Sequence, residues 1–397
     1  MNFVFVSPNF PDSYWRFCKA LRENGVRVLG IVDQKDNDID WNLKSNLDGW
    51  YCVNNLSDIN QKIEAINYFK SQYGDIDFIE SNNEFYLYQD AELRTYFNIK
   101  TGPQVDQIPY FRFKSQMKKY YKKAKVKTAR WELFTTLENA IKFCNKVGYP
   151  VIIKPDGGVG ASHTTKISNE DDLRNIVPFI QDTTYIMEEF IDGDLISFDG
   201  VCDKDGNVSF PTHHIFPIPV MDIVNEKKDT IYYTSKVIPS KLYDIGQRVL
   251  KAFNAKSRFY HLEFIVLKKT KKGLGEKGDI IGLEVNMRVP GGYTPDMINF
   301  AYSVDIYQIW ADIIAFNKIV HVYNYPKYYC CYASRRKNNI YLNSWDNIIF
   351  SYQSHIKLIG NIPEAIADDL GDYFVMANFD TLKEAKKFAD LITKKVK

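Results

Sequence analysis

The sequence predicts a chain of mixed α/β and α+β class, built as an α/β unit over residues 1–105, an α+β unit over 106–316 and a small α+β segment over 317–397. Strand-like and helix-like segments alternate in the first unit, hairpins mix with helices in the second, and the tail is strand-rich before a final helix. The length of 397 residues suits several domains, and the composition of 45% hydrophobic and 25% charged residues is ordinary for globular proteins.

Short apolar runs alternate with amphipathic segments in the first unit. Strands are predicted at 3–7, 26–32 and 76–80, and helices at 14–21 and 59–73. Asn24-Gly25 is a typical helix stop, because both residue types tolerate the left-handed backbone that ends many helices. This alternation favours a parallel sheet with helices on its faces.

The second unit begins with a basic helix predicted over 108–123. A capping pattern from Thr135 to Glu138 predicts another helix, which ends at Gly148. The elements predicted after it are a strand at 149–154, a loop of small residues at 156–162, a helix at 168–180, a strand at 184–190, a hairpin at 199–218 and a charged hairpin tip at 268–278. In the tail, Thr381 and Glu384 form a capping pattern for the last helix.

Charge and cysteine content argue against several classes of protein. The 51 basic and 49 acidic residues leave a net charge of +2, so the whole-chain charge gives no reason to expect a nucleic-acid or membrane partner. Six cysteines without metal-ligand spacing predict a cytoplasmic protein free of disulfides. The first residues lack the basic segment of a signal peptide, and no apolar run approaches the ~18 residues of a membrane-spanning helix.

The clearest motif is an apolar strand that delivers Lys154 directly into a loop of small residues. The loop contains Gly157, Gly158, Gly160 and Ser162. Phosphate oxygens require backbone N–H groups at close range, and only small residues permit that approach. The motif therefore predicts a phosphate-binding loop, with a simple hairpin turn beside a surface lysine as the alternative.

A second motif is the strand ending Glu188-Glu189-Phe190-Ile191, which runs into a turn. An extended backbone there has N–H and C=O groups that can form hydrogen bonds with the edge of an adenine ring. The alternative interpretation is an amphipathic strand with surface acids, and the segment alone favours that alternative.

A third motif places polar side chains in a row on one strand face. Residues two apart in a strand share a face, so Glu284, Asn286 and Arg288 point one way, while Leu283, Val285 and Met287 point the other. Together with Glu263 on a nearby strand, this oxygen-rich set suits Mg²⁺. The alternative is the solvated face of an edge strand.

Taken in this order, the three motifs resemble the ATP-grasp superfamily over residues 108–305, in particular its carboxylate–amine ligase branch and the grasp units of carbamoyl-phosphate synthase and biotin carboxylase. The resemblance implies an ATP-grasp fold with 128–190 as a small lid subdomain. It also implies that the first α/β unit is the domain that precedes the grasp unit in this superfamily. Lys114 resembles an upstream lysine of the family, although Lys125-Val126-Lys127 stands where the family has Gly-Val-Pro.

The resemblance also implies roles for individual residues. ATP is the implied cofactor, with Mg²⁺ or Mn²⁺ as the metal. The implied phosphate contacts are Lys114, Lys154, Gly157, Gly158, Gly160 and Ser162; adenine contacts are Glu188, Glu189, Phe190 and Ile191; and metal ligands are Glu263, Glu284 and Asn286. Asp194, beside Leu195 at the family's ribose-binding position, is a candidate for the ribose hydroxyls. Arg288 and Lys154 are the implied catalytic residues.

The reaction implied is attack by a carboxylate on the γ-phosphate of ATP, followed by displacement of phosphate from the acyl phosphate by an amine. An amino acid or small peptide is the expected substrate, held by Arg288, Gly291, Gly292, Glu80 and His261. Two alternatives stay open: an enzyme that activates bicarbonate, and a nucleotide-binding module without catalysis. The sequence also leaves open a homodimer.

Overall fold

The computed structural model describes residues 1–158, 163–180, 183–321, 323 and 325–396. Within these residues the strands form three sheets, with four, eight and four strands. Strands and helices are both abundant, and the predicted mixture of α/β and α+β structure is confirmed. Among the described helices, none is both long and apolar enough to cross a bilayer.

The first sheet is parallel and has the strand order β3-β2-β1-β4. Its strands are β1 (Asn2–Val6), β2 (Arg27–Val32), β3 (Gly49–Cys52) and β4 (Phe78–Glu80), and its helices are α1 (Trp15–Glu23), α2 (Trp41–Lys44), α3 (Ile59–Tyr73) and α4 (Leu87–Tyr96). Every residue of β1 is buried, because helices cover both faces of the sheet. The sheet ends at Glu80, so the loop after it lies at the carboxyl edge where parallel sheets bind ligands.

Two helices connect the first sheet to the rest of the chain. They are α5 (Ile108–Arg112) and α6 (Lys114–Lys123), where the sequence predicted one continuous helix. The break occurs at Phe113, whose extended backbone forms a bridge with Gly157. This long-range pairing explains the difference from the sequence prediction, since local helix propensity carries no information about it.

The smaller antiparallel sheet has the order β5-β8-β6-β7. Its strands are β5 (Trp131–Leu133), β6 (Val151–Pro155), β7 (Thr165–Ile167) and β8 (Tyr185–Glu189), and its helices are α7 (Leu137–Val147) and α8 (Glu170–Ile176). The strand β6 carries Lys154 and pairs with β8, which carries Glu188. This sheet therefore brings the lysine motif and the acidic motif together.

The eight-stranded sheet runs β13-β12-β9-β10-β11-β14-β16-β15. Its strands are β9 (Gly193–Cys202), β10 (Val208–Phe216), β11 (Ile231–Ser235), β12 (Arg258–Leu267), β13 (Ile280–Asn286), β14 (Tyr329–Arg335), β15 (Ile356–Asn361) and β16 (Tyr373–Phe379). Its helices are α9 (Val220–Asn225), α10 (Ser240–Phe253), α11 (Thr294–Tyr302), α12 (Ile306–Phe316), α13 (Trp345–Ser351), α14 (Glu364–Leu370) and α15 (Leu382–Thr393). The boundary expected after residue 316 falls between strands of this one sheet, since β11 pairs directly with β14.

Candidate active site

Four polar residues meet on one face of the β12–β13 pair. Glu263 lies directly opposite Glu284, and His261 lies directly opposite Asn286. Side chains at directly opposed positions of an antiparallel pair have Cβ atoms about 5 Å apart. The two carboxylates and the amide that the sequence assigned to a metal are therefore neighbours on adjacent strands.

The opposite face of β13 differs in one position from the sequence prediction. The strand register shifts at this point, because Glu263 pairs with Glu284 while the next residue, Phe264, pairs with Gly282. Leu283 is thus the extra residue of a β-bulge, and it is only half-buried, whereas Val285 is fully buried. Strict alternation wrongly grouped Leu283 with the core, but Glu284 and Asn286, beyond the bulge, still share a face.

Glu188 lies between two lysines. Its Oε1 is 2.5 Å from Nζ of Lys118, and its Oε2 is 2.9 Å from Nζ of Lys154. All three side chains are buried. Burial alone would raise the pKa of Glu188, but Lys118 and Lys154 outweigh it and lower the pKa to about 2. The group carries two positive charges and one negative charge, so it retains a net positive charge for an anionic ligand.

A third lysine faces the paired acids. Nζ of Lys114 is 3.3 Å from Oε1 of Glu284, and the hydroxyl of Tyr121 donates a 2.8 Å hydrogen bond to the backbone carbonyl of Glu284. The first turn of α6 is fixed by Asp156, whose carboxylate accepts hydrogen bonds of 2.7 Å from both the backbone N–H and the hydroxyl of Ser115. Helix α6 therefore directs Lys114 to Glu284 and Lys118 to Glu188.

The described start of the small-residue loop approaches Phe113 closely. A Cβ atom at Gly157 would lie 2.8 Å from the Phe113 ring, so only glycine fits there without displacement of the ring. Gly158 follows and is half-buried. Gly160 and Ser162, which the sequence also assigned to phosphate binding, lie outside the described residues.

The segment assigned to adenine is tied to its surroundings by basic side chains. The buried carboxylate of Glu189 is 2.6 Å from Nη2 of Arg130 and 3.1 Å from Nζ of Lys271. Lys271 also donates a 2.6 Å hydrogen bond to the carbonyl of Phe190. Ile191 is buried, while Asp194 is exposed and pairs with Lys268 at 3.0 Å. The side chain of Glu189 thus holds the strand end in place, and Asp194 is open to solvent.

Arg288, just beyond β13, reaches the first unit. Its Nε and Nη2 are both 2.9 Å from Oε2 of Glu84, and its Nη1 donates to the Val289 carbonyl at 2.8 Å. Gly291 and Gly292 follow and are exposed. The sequence prediction assigns the acyl substrate to Arg288, Gly291 and Gly292, which lie at this junction between the first unit and the end of β13.

Glu80 occupies a buried cluster near this junction. Its carboxylate is 3.0 Å from Nη2 of Arg94 and 3.5 Å from Nη1 of Arg258, and it accepts 3.2 Å hydrogen bonds from the backbone N–H groups of Ser81 and Asn82. Burial raises the pKa of Glu80, but the two arginines outweigh it and the net shift is downward. Two arginines and two backbone N–H groups thus contact this carboxylate.

His261 connects the paired acids to a further buried carboxylate. Its Nε2 is 3.0 Å from Oε1 of Glu263, its Nδ1 contacts Asp199, and Asp199 lies 2.6 Å from Nδ1 of His214. Burial would lower the pKa of His261, but Asp199 and Glu263 raise it to about 10. A protonated His261 therefore holds Glu263 ionised and fixes its orientation.

The residues present fit a divalent cation with hard-oxygen ligands. The donor set is two carboxylates and one amide, which is the chemistry that Mg²⁺ prefers when phosphate oxygens or water complete its shell. Among the described residues, no group of three or more His, Cys, Asp or Glu side chains is arranged to hold a metal ion. Glu263 and Glu284 with Asn286 would therefore hold the metal together with a phosphate-bearing ligand rather than alone.

Comparison with known families agrees with this geometry. Residues 147–296 match the ATP-grasp domain family. The chain contains an ATP-grasp domain. The matched span carries Lys154, Glu188 and the paired acids of β12 and β13, whereas Lys114 and Lys118 lie ahead of it.

Individual proteins similar to this chain are ligases and carboxylases. A phosphoribosylamine–glycine ligase of Fusobacterium nucleatum is 27% identical over 265 residues, which cover 57% of this chain and 59% of the ligase, so the chain spans about three-fifths of that relative's length. An L-amino acid ligase of Bacillus licheniformis has a TM-score of 0.70 at 13% identity, covering 98% of this chain and 96% of the ligase. The biotin carboxylase domain of Hydrogenobacter thermophilus 2-oxoglutarate carboxylase, solved with magnesium ADP and bicarbonate, has a TM-score of 0.67 at 18% identity, covering 97% of this chain and 88% of that chain. These likenesses establish the ATP-grasp fold.

Two residues of the site went unnoticed in the sequence. Lys118 is one helical turn after Lys114, and this i,i+4 spacing on a predicted helix was an available signal that the many neighbouring lysines obscured. Asp199 gave no comparable local signal, and it belongs to the site only because distant strands bring it there.

Proposed function

We propose that the chain is an ATP- and Mg²⁺-dependent, ADP-forming ligase that activates the carboxylate of an amino acid or small peptide and joins it to an amine. The observation that carries this proposal is the convergence of three lysines, paired acids and the Arg288–Glu84 ion pair around one cleft. The similarity to an L-amino acid ligase and to a phosphoribosylamine–glycine ligase supports it.

The lysines receive the triphosphate in this proposal. Lys154 and Lys118 share one carboxylate, so an incoming phosphate oxygen can take a lysine N–H without leaving a buried charge unpaired. Lys114 is 3.3 Å from Glu284, and it would be available to a phosphate oxygen if Glu284 held the metal. Bound Mg²⁺ supplies charge that offsets the phosphates during transfer.

The acyl substrate lies beside Arg288. Its guanidinium suits a carboxylate, because planar N–H groups match two carboxylate oxygens. Glu84 is at the same point with the opposite charge, which complements the ammonium group of an amino acid. The pair of opposite charges favours an amino-acid substrate over bicarbonate, which has no cationic group.

The reaction balances as follows. A carboxylate oxygen of the substrate forms a bond to the γ-phosphorus as the bond to the β–γ bridging oxygen breaks, and ADP leaves. The amine nitrogen then attacks the acyl carbon, inorganic phosphate leaves with the original carboxylate oxygen, and the nitrogen loses a proton. Positioning and charge neutralisation supply most of the rate in transfers of this kind.

An isotope experiment tests the proposal. The protein is incubated with ATP, Mg²⁺ and amino acids whose carboxylates carry ¹⁸O, in the presence and absence of amine acceptors. We expect ¹⁸O in the released phosphate and an amide product, with both abolished in Glu284→Gln. Phosphate release that requires bicarbonate and ignores amino acids identifies the carboxylase alternative. Nucleotide binding without phosphate release under any condition identifies a binding module, and either result overturns the proposal.

A further inference from the structure

A cavity of about 360 Å³ is lined by residues other than the candidate phosphate and metal ligands. It opens between the loop that leaves the first unit, the turn between β9 and β10, and the segment joining α10 to β12. Its polar lining includes Lys100, Lys204, Asn254, Lys256, Ser257 and Arg258. The volume is within the range of small-molecule sites, about 300–1,000 Å³.

The lining is cationic. Four of the residues around the cavity are lysine or arginine, and none of the described lining residues is acidic. Lys100, Lys204 and Lys256 are exposed and form no ion pair with any described residue. Most exposed lysines near a crevice contact only solvent. A concave wall whose charges all have one sign, however, raises the local concentration of ions of the opposite charge.

Arg258 adds a buried donor to this wall. The residue is 3% exposed, and its Nε and Nη2 donate to the Met287 carbonyl at 2.8 and 2.5 Å. Its Nη1 is buried, approaches Glu80 at 3.5 Å and makes no hydrogen bond to any described residue. A buried N–H group without an acceptor is costly, so an acceptor that enters the cavity gains this interaction.

The cavity is separate from the nucleotide cleft. Arg258 is the first residue of β12, and Glu263 follows five positions along the same strand. At about 3.4 Å per residue, the two positions are roughly 17 Å apart. Lys154 and Glu188 belong to the sheet β5-β8-β6-β7, whereas Arg258 belongs to the eight-stranded sheet. None of Lys114, Lys118 and Lys154 lines the cavity.

We propose that this cavity is a second binding site, which takes a small multivalent anion such as a phosphate ester or a polycarboxylate. The three exposed lysines require more than one negative charge for compensation, and a monovalent ion would leave two of them uncompensated; Arg258, whose charge is already paired with Glu80, offers its Nη1 N–H as a hydrogen-bond donor. Asn254 and Ser257 add neutral hydrogen-bonding groups that orient the ligand.

Isothermal titration of the full chain tests this site, with pyrophosphate and citrate as the two probes and sodium chloride at matched ionic strength as the blank. The triple variant Lys100→Ala/Lys204→Ala/Lys256→Ala should bind the effective probe at least tenfold more weakly. A control triple with the same charge loss, Lys272→Ala/Lys277→Ala/Lys383→Ala, should bind as the natural chain does. Lys154→Ala should keep this binding event, because its lysine lies in the other cleft.

The outcomes separate the possible ligands and can overturn the proposal. Binding of pyrophosphate but not citrate supports a phosphate ester, and the reverse supports a polycarboxylate. If neither probe binds at millimolar concentration, the site does not exist. Equal losses in both triple variants mean only nonspecific charge attraction, and loss of all binding in Lys154→Ala means that the probe occupies the nucleotide cleft alone. Each of these three results rejects the proposal.

Discussion

Glu84 and Arg288 are 204 positions apart in the chain, yet their side chains meet at 2.9 Å. This ion pair joins the first unit to the end of β13. Burial raises the pKa of Glu84, although Arg288 opposes the shift. In the proposed reaction, a substrate that binds Arg288 shares the arginine with Glu84 or displaces Glu84 from it, so we expect Glu84 to take part in substrate recognition.

Replacing Glu84 should change substrate recognition rather than nucleotide binding. We expect Glu84→Gln to raise the KM for the acyl amino acid about tenfold or more, since an ammonium group loses a charged partner worth ~1.5–3 kcal/mol. The affinity for magnesium ATP should stay within about twofold. Steady-state kinetics and calorimetry measure the two quantities. Glu64→Gln, an exposed acid on α3, is the matched control, and an unchanged KM in Glu84→Gln contradicts the assignment.

Replacement of Lys154 should leave the chain folded, because Lys118 still lies 2.5 Å from Glu188 and neutralises its charge. We expect Lys154→Met to bind ATP at least tenfold more weakly while its melting temperature stays close to that of the natural chain. Calorimetry with ATP and thermal unfolding provide the two readouts. Lys142→Met, on the exposed side of α7, should change neither. Natural ATP affinity in Lys154→Met would show that this strand does not contact phosphate.

The Glu188 carboxylate makes stability depend on pH in a defined direction. Its pKa is lowered from 4.5 to about 2 in the folded chain, so its stabilisation is present above pH 4.5 and is lost as pH falls through about 2. Glu188→Gln should therefore lower the free energy of unfolding by about 3 kcal/mol at pH 7, with a smaller difference at pH 3. Urea unfolding at both pH values measures this. If the difference in unfolding free energy between Glu188→Gln and the natural chain does not change with pH, the variant loses stability through packing and not through charge.

The two faces of β13 should respond differently to mutation. Glu284→Gln keeps size but removes a charge from the metal face, so turnover should fall by at least 10²-fold while the fold is retained. Val285→Ala, on the fully buried face, should lower the free energy of unfolding by ~2 kcal/mol with activity per folded molecule preserved. Turnover assays and denaturant titration distinguish the faces. The reverse pattern would show that the polar face is not the catalytic one.

Local sequence pattern predicted the parts of the site that lie within single strands. Lys154 ends an apolar strand, and Glu284 and Asn286 are two apart, so strand alternation placed each of them correctly relative to its neighbours. The helix predicted over 59–73 is present as Ile59–Tyr73, and Thr381 with Glu384 forms the predicted capping box. Such features depend on residues a few positions apart.

Contacts between distant segments could not be predicted in this way. Phe113 interrupts a helix because it pairs with Gly157, and Leu283 leaves the core face because the register with β12 shifts. Glu84 meets Arg288 only when the first sheet is placed against the end of β13. No periodicity in one segment encodes these distances, so tertiary packing decided each of them.

The order β11-β14-β16-β15 has a consequence for how the chain is made. Strand β16 is the last to be synthesised of the four, yet it lies between β14 and β15. Until β16 leaves the ribosome, β14 has an unpaired hydrogen-bonding edge and β15 has no partner strand, a state that favours aggregation. A nascent chain arrested between residues 361 and 373 should therefore depend on chaperones far more than one released after residue 379.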